Sequence, residues 1–95
     1  MKLDSYLLTS VAGGSSLVAA SGSAPKFARM VILKNVSGTV TLGSKERGTY
    51  PLPANTEVKL EEVNRAGQSG KYELAEIILR GVGTTEVLLV DPSNE

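Results

Sequence analysis

Residues 30–42, MVILKNVSGTVTL, constrain the fold of this chain more than any other stretch. Their β-branched and apolar runs flank Ser37-Gly38, a pair suited to positive φ, so the segment reads as an antiparallel hairpin. With Ser37 and Gly38 as the turn, Asn35 pairs with Val40 and Leu33 with Leu42. Val31, Leu33, Val40 and Leu42 then share one face. Met30, Ile32 and Lys34 lie on the other, opposite Thr39, Thr41 and Gly43. One strand is therefore apolar on both sides, and something has to cover its second face.

The remaining chain is punctuated in the same manner. Residues 27–34 form the first body strand, and residues 44–50 read as a charged, Gly-flanked loop. Pro51-Leu52-Pro53 removes two donors and suits an edge or a crossover. Ala54-Asn55 makes a turn. Residues 56–63 alternate, with Val58 and Leu60 inward and Glu57, Lys59 and Glu61 toward water. Residues 64–70 are a polar loop. Residues 71–80 begin as an irregular or helical turn at 73–75 and continue as a strand through Arg80. Gly81-Val82-Gly83 turns the chain, residues 85–90 return as a strand, and Asp91-Pro92 ends it. Six to seven short strands at close intervals predict an all-β fold, a small antiparallel β-sandwich or barrel of jelly-roll-like form.

Residues 1–25 carry an early Lys and an apolar run that imitate a secretory leader. Asp4 spoils the positive start, and Gly13-Gly14-Ser15-Ser16 interrupts the run. The segment instead reads as an extended N-terminal arm with strand-like pieces at 6–9 and 17–20, followed by a body over residues 26–95. No run approaches the roughly 20 apolar residues that span a membrane. With 95 residues, the chain can bury only about 60 to 65% of its surface. It has no Cys and no His, so neither a disulfide nor a Cys- or His-bound metal reinforces it. Partner subunits are the expected support.

Ten basic and ten acidic residues balance, with no long basic run, so no nucleic-acid footprint is expected. Lack of Cys and His removes the common catalytic pairings, and the chain is expected not to be an enzyme. The neighbours Glu61 and Glu62 point to opposite faces of a strand. Ser44 and Lys45 are adjacent in a loop, which by itself makes no dyad. Residues 43–49, GSKERGT, have the glycine spacing of a phosphate loop but not its Lys-Ser/Thr ending, and Pro51 forbids the helix that should follow. Gly81-Val82-Gly83 lacks the third glycine of a dinucleotide fingerprint. Asn35-Val36-Ser37 is formally a glycosylation acceptor but is more simply a turn. No calcium loop is present and no cofactor is expected. A sugar platform would have to come from Phe27, Tyr6, Tyr50 or Tyr72.

The positive signal is an apolar surplus: Met30, Ile32, Ile77, Leu79, Leu88 and Val90 fall on the second faces of strands whose first faces are already apolar. Burying six such side chains is worth roughly 10 kcal/mol, similar to a small domain's whole stability. A compact sandwich that turns some of them inward through bulges is the alternative.

In order along the chain stand Ile32 to Asn35, Val40 to Gly43, Pro51-Leu52 with Asn55, Val58 to Leu60, and Leu74, Ile77, Leu79, Gly81 and Gly83. This order of pieces resembles that of a group of small phage virion proteins. Over about residues 30–90 this resemblance implies a β-sandwich component of a phage particle assembled in the host cytoplasm, most often a capsid cement or decoration protein. The major capsid protein and further copies of the chain, as dimer or trimer, would be its partners, with no nucleic acid and no membrane. A head–tail connector or tail component, or a carbohydrate-binding adhesion module, are the other readings. Contact residues are expected at Leu3, Tyr6, Leu7 and Leu8 in the arm and at Met30, Ile32, Leu88 and Val90 in the body.

Overall fold

The computed structural model describes residues 2–18, 25–61, 64–65 and 68–94. Its strands are β1 (Leu3–Ser10), β2 (Ser15–Ser16), β3 (Phe27–Ala28), β4 (Met30–Gly38), β5 (Val40–Gly43), β6 (Tyr50–Leu52), β7 (Glu57–Leu60), β8 (Asn64–Arg65), β9 (Gln68–Ser69), β10 (Tyr72–Glu73), β11 (Ile78–Arg80) and β12 (Gly83–Val90). A 3-10 turn, Leu74–Glu76, lies one residue beyond the helical turn expected at 73–75. Eight of the strands make two antiparallel four-stranded sheets, β1-β12-β4-β7 and β2-β11-β5-β6, while β3 pairs with β10 and β8 with β9.

The two sheet orders correspond strand for strand. Each strand of the first sheet runs round a corner into the strand at the same place in the second: β1 into β2, β12 from β11, β4 into β5, and β7 from β6. Four antiparallel ribbons are thus folded once over a common edge, with their inner faces together. This is the eight-stranded, double-sheet arrangement of a jelly roll, and the all-β sandwich expected from the turn spacing is what the chain forms.

The expected hairpin at Ser37-Gly38 is corrected. Gly38 does take positive φ, at 84°, but the turn sends β5 into the other sheet, and β4 pairs with β12 and β7 instead. Positive φ serves a sheet-to-sheet corner as well as a hairpin. Val31, Leu33 and Val40 still meet in the core, now from opposite sheets, with Leu42 packed against it. Thr84 pairs with Ser37 and Thr85 with Asn35, leaving Val36 as a bulge that sharpens the bend. A Cβ at Gly38 would overlap the carbonyl of Val82, and one at Gly81 that of Thr39, so the two corners touch backbone to backbone.

Residues 2–18 also depart from expectation. The predicted arm is a sheet edge: β1 pairs over its whole length with β12, from Leu3 opposite Val90 to Ser10 opposite Gly83. β12 would otherwise leave a row of main-chain donors and acceptors unpaired, and the alternate residues of β1 supply core. Leu8 and Leu17 are fully buried in it. Of the strand-like piece at 17–20, Leu17 and Val18 form a turn, and residues 19–20 lie outside the described residues, as do 62–63 of the strand expected over 56–63. The polar loop at 64–70 contains the short β8–β9 pair.

The core is Leu8, Leu17, Ala28, Val31, Leu33, Val40, Leu52, Leu74, Leu79, Val87 and Leu89. Only Ser10, Asn35 and Thr85 are polar and buried among the described residues, and Ser10 and Asn35 pin the corners. Ser10 Oγ donates toward the carbonyls of Gly81 and Gly83, at 2.7 and 3.3 Å. Asn35 Nδ2 donates to Gly38 O at 3.0 Å and to Leu52 O at 2.7 Å. Its main chain closes the β6–β7 corner as well: Asn35 N donates to Thr56 O at 3.0 Å, and Asn55 N donates to Asn35 O at 2.7 Å. A side chain so enclosed is no glycan acceptor in the folded chain.

Removing Asn35's amide strands two carbonyls, each worth about 1–3 kcal/mol when buried and unpaired. Asn35→Ala should therefore lower unfolding free energy by about 3 kcal/mol. Asn35→Asp, whose carboxylate faces carbonyl oxygens, should lose at least as much. Urea midpoints at unchanged slope measure both, and a loss below about 1 kcal/mol for Asn35→Ala would contradict this role.

Candidate outer-face site

Strand alternation and register lay out the exposed face of the first sheet as rows. Leu3, Val90 and Met30 make one row. The next holds Ser5, Leu88, Ile32 and Lys59, and the third Leu7, Glu86, Lys34 and Glu57. This face holds a groove of about 450 Å³ lined by Ser5, Leu7, Ile32, Lys34, Glu57, Glu86 and Leu88, together with Tyr6 and Val87. Apolar and charged rows therefore lie side by side. In the charged row one ammonium stands between two carboxylates, an order in which opposite-charge neighbours contribute about 0.2–1 kcal/mol each. The second sheet differs, since Thr41 lies between Pro51 and Arg80 and Gly43 lies opposite Ile78 on its outer side.

Six of the eight expected contact residues fall on this one face. Leu3 and Leu7 are 61% and 60% exposed, and Met30, Ile32 and Leu88 are half-buried. Val90 sits on the same face between Leu3 and Met30 but is itself buried. Tyr6 and Leu8 are corrected. Both point inward, because neighbours on a strand alternate and Leu7 takes the outer side. The surplus is also smaller than the sequence implied, with Leu79 in the core and Ile77 packed against it. Each half-buried side chain that remains offers about 1 kcal/mol on full burial.

Lys34 lies on the face expected for it beside Ile32, whereas Ser5, Glu57 and Glu86 are members of the site that the sequence pattern does not bring together with them. Alternation alone marks Glu57 as outward, but its neighbours in the row come from strands far apart in the chain, and no local signal joins them.

Tyr6 reinforces the fold from beneath this face. Its hydroxyl donates to the carbonyl of Leu17, tying β1 to the segment after β2. Burial, with a smaller contribution from Asp4, pushes its pKa up to about 12. The other candidates for chemistry do not assemble. Lys45 Nζ lies 3.3 Å from a Glu76 carboxylate oxygen. Ser44 Oγ accepts from the amides of Glu46 and Arg47, both at 3.3 Å. Those contacts occupy the loop at residues 43–49. Phe27, Tyr50 and Tyr72 lie away from the groove. Among the described residues no cluster of three or more carboxylates could hold a metal ion, and no helix is long and apolar enough to cross a membrane.

Comparison with protein-family models, with curated proteins and with solved structures finds no match to this chain.

An unfolded tyrosine loses its proton near pH 10, whereas folded Tyr6 keeps it to about 12. Between those values the folded state binds more protons, so stability should fall as pH rises through that window and show no Tyr6 slope below it. Tyr6→Phe should flatten this part of the curve, and urea midpoints measured at intervals from pH 9 to 12 provide the check. An unchanged slope in the variant would contradict the assignment.

Proposed function

We propose that this chain is a structural protein of a phage particle, a capsid decoration or cement protein that binds coat subunits through the grooved outer face of its first sheet. The observation that carries the reading is that the core closes without Met30, Ile32 and Leu88, which stay on an outer face beside a groove. Half-exposed apolar residues gathered on one side of a small domain suit a protein surface. The fold is one that serves in viral capsids among other roles, which makes it compatible with the proposal without deciding it. The likeness of residues 30–90 to small virion proteins supplies the identity of the partner.

In this reading the mechanism is surface burial. Leu88, Ile32 and Met30 supply apolar area, and the row Glu86, Lys34, Glu57 orients the partner by charge. Net charge is zero, so attachment depends on local pairing and should respond weakly to salt. No bond is made or broken, and the particle gains stability because a bound decoration protein must be released before its coat subunits separate.

The test is co-sedimentation with empty heads assembled from the coat protein of the same phage genome. Wild type should bind saturably. Leu88→Glu and Ile32→Glu should each weaken binding more than tenfold while changing the urea midpoint little, because neither residue belongs to the core. Failure of wild type to sediment with heads, or undiminished binding by both variants, would overturn the proposal.

A further inference from the structure

The four sheet edges are not equally defended. β7 presents exposed Glu57 and Lys59, β6 contains Pro51 and is followed by Pro53, and β2 is only two residues long. Charges, prolines and shortness are the usual devices that stop strands from pairing with other chains. β1 has only one of them, the single charge of Asp4. It is eight residues long, with no Pro, Gly or Lys, and among the described residues no strand pairs with its outer side.

The direction of its free groups follows from the register. Asp91 N donates to Lys2 O at 2.8 Å, which extends the β1–β12 ladder by one hydrogen-bonded pair. Such pairs alternate along an antiparallel ladder. Leu3, Ser5, Leu7 and Thr9 therefore aim their main-chain N–H and C=O groups at the free side. The same residues carry the outward side chains, and Val11, two residues past Thr9, is 55% exposed.

We propose that β1 pairs antiparallel with β1 of a second copy about a two-fold axis through Leu7, joining two four-stranded sheets into one of eight strands. In this register Leu7 lies opposite its own counterpart and Ser5 opposite Thr9, while Leu3 comes beside the exposed side chain of Val11, whose main chain is held within its own chain by Ser15 Oγ and the amides of Gly14 and Gly81. Apolar meets apolar and hydroxyl meets hydroxyl, as an isologous contact requires. An axis through Asp4 would set two carboxylates face to face. One through Tyr6 would set Leu3 against Thr9 and Leu7 against Ser5, and one through Ser5 leaves Val11 with no partner. Zero net charge leaves no overall repulsion between copies. About six main-chain hydrogen bonds form across the axis. The contact is smaller than a standard interface, so the isolated dimer forms in the micromolar range or weaker. This extends the assembly reading but is tested on the chain alone, so failure of self-pairing and failure of head binding are seen separately.

Because the chain has no cysteine, single cysteines report the register. Residues in a hydrogen-bonded pair stand about 5.5 Å apart at Cα, within disulfide reach. Leu7→Cys in oxidised glutathione should yield a covalent dimer as the main product. Ser5→Cys alone and Thr9→Cys alone should stay largely monomeric, and their mixture should cross-link. Sedimentation velocity should show wild type dimerising with rising concentration. Leu7→Pro, which removes a donor pointing away from β12, should remain monomeric, with Leu7→Lys as the second variant should proline disturb the strand. A wild-type chain that stays monomeric into the millimolar range, or Ser5→Cys cross-linking as fast as Leu7→Cys, would overturn the proposal.

Discussion

Everything in this fold depends on four strands turning the same corner in register, and Asn35 is where that constraint is concentrated. Its side chain holds the carbonyls of Gly38 and Leu52, while its main chain pairs with Thr56 and Asn55. One residue thus ties the β4–β5 bend to the β6–β7 bend. Ser10 makes the matching tie between the β1–β2 and β11–β12 bends. A corner breaks the sheet ladder and exposes main-chain groups, and burying such groups without partners is expensive. Ser10 and Asn35, two of the three buried polar side chains among the described residues, are the solution this sequence uses.

The outer face follows from the same folding-over. Once the ribbons close on themselves, one face of each strand fills the core and the other is left outside. In the second sheet the strands are short, and Thr41, Pro51, Gly43 and Arg80 are on the outer side. The first sheet has the long strands β1, β4 and β12, and β4 and β12 are apolar on both sides. The face that remains has a value of about 1 kcal/mol per half-buried side chain, enough to make a specific contact and too little to destabilise a monomer. Stability therefore does not depend on what covers this face, since the core is complete without it.

Much of this organisation is legible in the order of residues, and the rest fails for identifiable reasons. Alternation correctly sends Val31, Leu33, Val58 and Leu60 inward and Ile32, Lys34 and Leu88 outward, because period 2 is a local property. The bend is expected at Ser37-Gly38 and falls at Gly38-Thr39, with Ser37 still paired in β4, and its purpose is not legible, since a residue with positive φ does not declare whether the next strand returns to the same sheet or crosses to the other. The pairing of β1 with β12 joins the two ends of the chain, and no local signal carries it. An apolar N-terminal segment accordingly reads as an arm, and Tyr6, Leu7 and Leu8 read as one contact group, although a strand must separate Leu7 from its neighbours. Asn35 is read as a turn residue because its hydrogen-bond partners, Leu52 and Thr56, lie on a corner that only the tertiary fold creates.

The central claim, that an enclosed Asn35 amide locks the corners together, is most directly read from hydrogen exchange of its own side-chain protons. In heavy water, the two Nδ2 protons of Asn35 should exchange only through global opening, with the free energy of the slowest main-chain amides in β4 and far more slowly than the side-chain protons of exposed Asn55. Exchange of Asn35 at the rate of Asn55, while the β4 amides stay protected, would show that the corners hold without it and would contradict the account.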